Sequence, residues 1–406
     1  MLDAQLIRGR RRTGRFLLRT LIVLAAAWPQ SAFAQGRSSG DPPAKPAGRG
    51  GDTRPDTKKP KKAKKAAPEK SPPGLPADEK AEEAALAALG PLAKGFRLHR
   101  TQHFSVLYNT SEEDLEAFCL AIEKTYRSCE RLAERLNVAV VPPKGKLLIH
   151  YFSELSEYSG HSERLGLGAR SENTPGFYHP ASNLSYFYDF RNSDTFKRKR
   201  AEAEAKIEQI AAQLKRGGLS AAERRQLSAE MKQARAVLNR VSSLGGGQNE
   251  STVQHEVAHQ VLWNIGFHHA GSFLANPRWF VEGVAQAFEP ISTGKAANIG
   301  LVNKERLQAF QVLVKENRLI PLRDFVSSAD WFATETKIAY PQSWALFHYL
   351  RRTKGEGVKK YIELINRRPA DYQPTPEREL ADFEKAFGRL NDQWVAAWLQ
   401  WMKNVR

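Results

Sequence analysis

The 406-residue chain carries 62 lysines and arginines against 44 aspartates and glutamates, a formal net charge of +18, and 41 % of its residues are hydrophobic. That apolar content excludes a wholly disordered chain and suffices for a sizeable core. The charge is uneven. Residues 1–34 hold six basic groups and one acidic, and residues 35–80 hold twelve and six, so these tails carry +11 and the rest only about +7. The later part shows no nucleic-acid-binding motif, and no specific nucleic-acid partner is expected.

Arg8, Arg10, Arg11, Arg12, Arg15 and Arg19 precede an apolar stretch from Leu21 to Trp28, and Ala32-Phe33-Ala34 supplies small residues for cleavage. Residues 1–34 therefore read as a secretory signal, predicting a secreted or periplasmic protein. The apolar run is shorter than the roughly 20 residues of a membrane span. Residues 35–80 are rich in Pro, Gly, Ala, Ser and Lys, the composition of a disordered linker. Its run from Lys58 to Lys65 offers a contact for an anionic envelope polymer or a membrane surface. A short helix and lead-in are expected over 81–95, and the main domain over 96–406.

His103–Tyr108 alternates like a strand, and Thr110 or Ser111 caps a helix predicted from Glu112 to about Leu136. Lys146–Phe152 reads as a second strand. Gly176–Tyr178 and Leu184–Tyr188, joined by a His179–Asn183 turn, read as a hairpin. Residues 194–247 are dense in charge, with a break at Gly217-Gly218 and a capping box at Ser220–Glu223. They predict an inserted helical hairpin, and Gly245-Gly246-Gly247 predicts a hinge after it. Cys119 and Cys129 fall too far apart along one helix for a disulfide and are expected as free thiols.

Val253–Gln260 then places His255 and His259 four residues apart, on one face of a helix, with Glu256 directly after the first. Val257, Ala258, Val261, Leu262 and Ile265 make the helix apolar enough to be buried, and Gly266 is a natural stop. Two imidazoles at this spacing can reach one metal ion, and the carboxylate beside them can take a proton from a water. A catalytic zinc needs a third ligand. Asn276 reads as the N-cap and Pro277 as the first residue of a second helix, in which Glu282 lies among Trp279, Phe280, Val281, Val284 and Phe288. A carboxylate there requires a cation, either a metal or a neighbouring arginine such as Arg278. Glu289, two turns on, is a candidate for orienting a ligand histidine. His268 and His269 are expected to line the intervening loop without ligating.

The strings QHEVAHQ and PRWFVEGVAQAFE resemble the gluzincin zinc metallopeptidases, most closely their peptidase-MA-like branch. The resemblance implies Zn2+ held by His255, His259 and Glu282, with Glu256 as general base. A further string, IAYPQSWALFHYL, resembles the branch's downstream helix and implies Tyr340 as a hydroxyl donor to the tetrahedral oxyanion. Twenty-two residues separate His259 from Glu282, a longer interval than in thermolysin-like members. The implied fold is α+β and two-lobed. An N-terminal α/β lobe over 96–266 has the hairpin at its edge, as a wall on which a peptide or protein substrate lies as an added strand. A helical lobe over 267–406 follows, from the apolar periodicity of Lys304–Glu316, Tyr340–Arg352, Gly357–Ile365, Pro376–Phe387 and Leu390–Lys403. The expected activity is peptide-bond hydrolysis. The alternative is a catalytically inactive binding protein that keeps the peptidase scaffold to hold an envelope component.

Overall fold

The computed structural model describes residues 74–170, 174–215, 218–291 and 301–406, all within one compact unit, with backbone alone at 236, 237 and 239–249. The expected signal segment and most of the expected linker lie outside the described residues. The fold is mixed α+β.

Order begins earlier than the composition suggests. The Leu75 amide donates to the Gln102 carbonyl at 2.9 Å, and α1 (Glu79–Ala88) is capped by Asp78. The α1 residue Ala85 is buried in a core cluster with Leu89, Phe96 and Phe152. Glu82 of the same helix is buried, accepting from Arg100 Nε at 3.0 Å and Ser105 Oγ at 2.5 Å. The linker expected to run to residue 80 thus stops by residue 74, and the domain expected to start near Phe96 includes α1. The short helix expected here is present as α1, starting two residues early, and is held by what it touches.

Five strands form one sheet, β1 (Arg97–Arg100), β2 (Phe104–Tyr108), β3 (Leu147–Phe152), β4 (Gly176–His179) and β5 (Leu184–Tyr188), in the order β1-β2-β3-β5-β4. The inner pairs are parallel and the two outer pairs antiparallel, which leaves β1 and β4 at the edges. Exposed throughout, β1 (Arg-Leu-His-Arg) shows no alternation of burial to read. Between β2 and β3 lies α2 (Glu112–Arg135), capped by the Ser111 side chain. Alternation along the strands sends Val106, Ile149, Tyr151 and Phe187 toward α2, while Leu107, Tyr186 and Tyr188 join α1 and Tyr158 of α3 (Leu155–Arg164) in a second cluster.

The inserted hairpin consists of α4 (Asp194–Lys215) and α5 (Ala221–Asn264), the latter opening with the expected Ser220–Glu223 capping box. The expected glycine hinge is absent, because α5 runs as one helix of 44 residues through Gly245, Gly246 and Gly247 into the histidine motif. Each helical glycine costs about 1 kcal/mol relative to alanine, and packing of α5 on α2 and α4 offsets it. The helix ends where Gly266 adopts φ +78° and the Phe267 amide bonds back to the Leu262 carbonyl at 3.0 Å.

Eight further helices follow: α6 (Arg278–Ala285), α7 (Lys304–Lys315), α8 (Leu322–Ser327), α9 (Trp331–Thr334), α10 (Thr336–Thr353), α11 (Gly355–Asn366), α12 (Pro376–Phe387) and α13 (Asp392–Met402). Two helices start away from the expected residues. Pro277 is itself the cap of α6, with Asn276 bonded to the preceding loop, and α10 begins one turn before Tyr340, enclosing Pro341. One contiguous core runs from Phe104 of the sheet through Val257 of α5 to Trp398 of α13, so the two expected lobes share it.

His150 of β3 is fully buried, its ring 5.3 Å from Tyr186 and 6.2 Å from Phe152, and burial pushes its pKa down to about 3. The unfolded chain binds this proton near pH 6.5. Stability is therefore complete above that value and is lost as pH falls toward 3, by about 1.4 kcal/mol per pH unit. His150→Leu should flatten the loss, measured as urea midpoints at pH 7 and pH 4.5. Parallel losses in parent and variant would assign the acid sensitivity elsewhere.

Candidate metal centre

The histidine motif is pinned to the sheet by side chains on its own helix. Gln260, fully buried, donates to the carbonyls of Leu148 at 3.0 Å and Asn183 at 3.2 Å and accepts from Ser185 Oγ at 2.9 Å. Asn264 donates to Asn183 Oδ1 at 2.7 Å. These bonds fix the rotation of α5, so that His255 and His259 face α6 while Glu256 faces the hairpin. Glu256 Oε2 accepts from the Tyr178 amide of β4 at 3.0 Å.

Opposite, α6 is held close to α10. A Cβ on Gly283 would lie 2.6 Å from the Ser343 carbonyl oxygen and 3.1 Å from Phe347 Cβ, so only glycine permits this approach. The neighbouring Glu282 is thereby brought over the histidines. Its Oε2 lies 3.3 Å from His255 Nε2 and 3.7 Å from His259 Nε2, and the two Nε2 atoms are 3.1 Å apart. Tetrahedral ligands about 2.05 Å from zinc are separated by about 3.3 Å, so the three atoms form a face of the expected size. Among the described residues His255, His259 and Glu282 are the group able to hold a metal ion.

Arginine and metal are not alternatives here, since Glu282 is divided. Its Oε1 accepts from Arg278 Nε at 2.8 Å, while Oε2 is buried without a hydrogen-bond partner. Burial opposes the Glu282 charge, but Arg278 and the two histidines prevail and hold its pKa well below the ordinary carboxylate value. His255 behaves in mirror image. Burial disfavours its cation, yet the carboxylates of Glu282 and Glu289 hold its pKa up at about 10. The cluster demands positive charge, and a divalent cation meets that demand with neutral imidazoles.

Glu289 stands where a ligand-orienting residue was expected. It accepts from His255 Nδ1 at 3.0 Å, which aims Nε2 at the cluster, and it is itself held by Arg306 Nε at 3.0 Å and Asn303 Nδ2 at 2.7 Å. Burial opposes its charge, and Arg306 followed by His255 holds it down at about 2. No spacing rule points to Arg306 or Asn303 from the sequence.

The donor atoms open onto a cleft lined by Glu256, Tyr178, Pro180, Trp263, Phe273, Val281, His268 and Tyr340. Burial raises the Glu256 pKa. The Tyr340 hydroxyl is bonded to Arg278, and burial followed by the Glu282 charge raises its pKa, so it stays protonated. Trp263 follows His259 by one turn, a spacing that places both on one face of the helix. The two loop histidines part company. His269 stays in the loop, bonded to the Ser272 amide at 3.0 Å and the Arg368 carbonyl at 2.8 Å. His268 lies buried against the cleft, outside the three-ligand cluster.

Residues 249–371 match a family described as a protein of unknown function, DUF1570. The matched segment contains every residue named around the metal cluster from His255 to Tyr340. Comparison with curated proteins finds no match.

Two outcomes follow from this geometry. Gly283→Ala should lower stability by about 2 kcal/mol by wedging α6 from α10, with a parallel loss of divalent-metal affinity in competition titrations. Unchanged affinity would separate Glu282 from the metal. Glu289→Ala should leave the protein folded and weaken zinc about 10- to 100-fold, read by the same titration.

Proposed function

We propose that the chain is a gluzincin-type zinc metallopeptidase that hydrolyses peptide bonds after export. The observation that carries this reading is the convergence of two imidazole nitrogens and one otherwise unpartnered carboxylate oxygen, with a second carboxylate, Glu256, on the same cleft. Two nitrogens and one oxygen are a donor set suited to zinc and leave a position for solvent or substrate.

A zinc ion held by His255, His259 and Glu282 would supply acidity to a water and positive charge to a peptide carbonyl. The remaining work falls to the chain. Glu256, its pKa lifted toward the working range by burial, takes a proton from the attacking water. The water oxygen bonds to the carbonyl carbon, the carbon–nitrogen bond breaks, and Glu256 delivers the proton to the departing amine. The Tyr178 amide holds the carboxylate in place during both transfers. Tyr340 presents a hydroxyl for the oxyanion, and Arg278 beside it adds positive charge. The hairpin that carries Tyr178 is an edge of the sheet, so an extended peptide can lie along it. Among the described residues no helix is long and apolar enough to cross a membrane.

Glu256→Gln should retain zinc and lose about 10²- to 10⁴-fold in peptide cleavage. Digestion of a peptide library by parent and variant, with a chelator control, reads this directly. Cleavage by the zinc-loaded variant at the parent rate would remove Glu256 from the role of base.

A further inference from the structure

His268 is a polar side chain that the fold buries without satisfying. It is 1 % exposed, and neither ring nitrogen has a hydrogen-bond partner within the protein. Its position is nevertheless well fixed. The His268 amide bonds to the Leu262 carbonyl at 3.1 Å in the turn that ends α5, and its ring packs edge-on against Phe267 at 5.6 Å and Phe280 at 6.0 Å. An imidazole buried this way bears the cost of desolvation with nothing to offset it while it lacks a partner. Its neighbours on the cleft include Trp263 and Phe273, stacked at 6.2 Å, with Val281. The Trp263, Phe273 and Val281 side chains themselves have no acceptor to offer the ring.

We propose that His268 is a substrate-contacting residue of the cleft, whose imidazole hydrogen-bonds a peptide group seated between Trp263, Phe273 and Val281. The walls take the apolar body of a substrate side chain, and the imidazole takes a polar group on that residue. Selectivity then arises because a ligand lacking the polar group leaves the imidazole unpaired. A neutral imidazole offers one donor and one acceptor.

The inference rests on the metallopeptidase reading, and the test separates the two. His268→Phe and His268→Asn are prepared as full-length zinc-loaded proteins. Zinc content, ligand-free melting temperature, and affinity for a phosphinic pseudopeptide bearing a tyrosine side chain are measured with the cleavage rate. His268→Phe should keep one zinc, melt at or above the parent temperature, and bind the pseudopeptide about tenfold or more weakly. His268→Asn should recover part of the affinity. Unchanged affinity and cleavage in His268→Phe, with the Glu256→Gln defect intact, would overturn the role of His268 and leave the peptidase standing. Loss of zinc in His268→Phe would make the residue a ligand and overturn the proposal. A lowered ligand-free melting temperature with unchanged pseudopeptide affinity would make it a packing residue. A parent protein that takes up no zinc would sink both readings.

Discussion

A carboxylate buried to 2 % exposure inside a helical layer costs several kcal/mol unless positive charge meets it, and Glu282 is met on two sides by different means. One oxygen is taken by the Arg278 guanidinium, which cannot lose its charge. The other faces two imidazoles, which can carry a proton or surrender it to a metal. The arginine fixes the rotamer and the histidines leave a choice. The Gly283 approach, the α5 stop at Gly266 and the Glu289–Arg306 pair all serve to hold that second oxygen where the choice exists.

The α+β class, the hairpin and the four residues His255, Glu256, His259 and Glu282 were legible because each follows from a local rule of periodicity, capping or helical spacing. What escaped had non-local causes. The order of residues 74–80 comes from a backbone bond to Gln102, not from the residues' own propensities. The continuity of α5 through three glycines comes from the helices laid against it. Pro277 read as the first helical residue but is the cap of its helix, and α10 encloses Pro341 one turn after its start. The separate fates of His268 and His269 depend on the loop's path, which adjacent positions in a sequence do not encode.

Continuity of α5 also changes how the molecule is partitioned. The charged hairpin was expected as an appendage joined by a joint, but the helix that forms its second arm is the helix that carries both histidines. At 1.5 Å per residue, the 30 or so residues before the motif span about 45 Å. A shared core from Phe104 to Trp398 joins the two lobes. The cleft is lined from both, by Tyr178, His255 and Glu256 on one side and Val281, Glu282 and Tyr340 on the other.

The bond from the Tyr178 amide to Glu256 has a mechanical meaning beyond holding a side chain still. That amide belongs to the open border of the sheet, where a guest strand would otherwise find a donor. By capturing it, the acid couples the border's position to its own reach. On the proposed reading, a peptide docked along β4 would therefore touch the same strand that holds Glu256 in place.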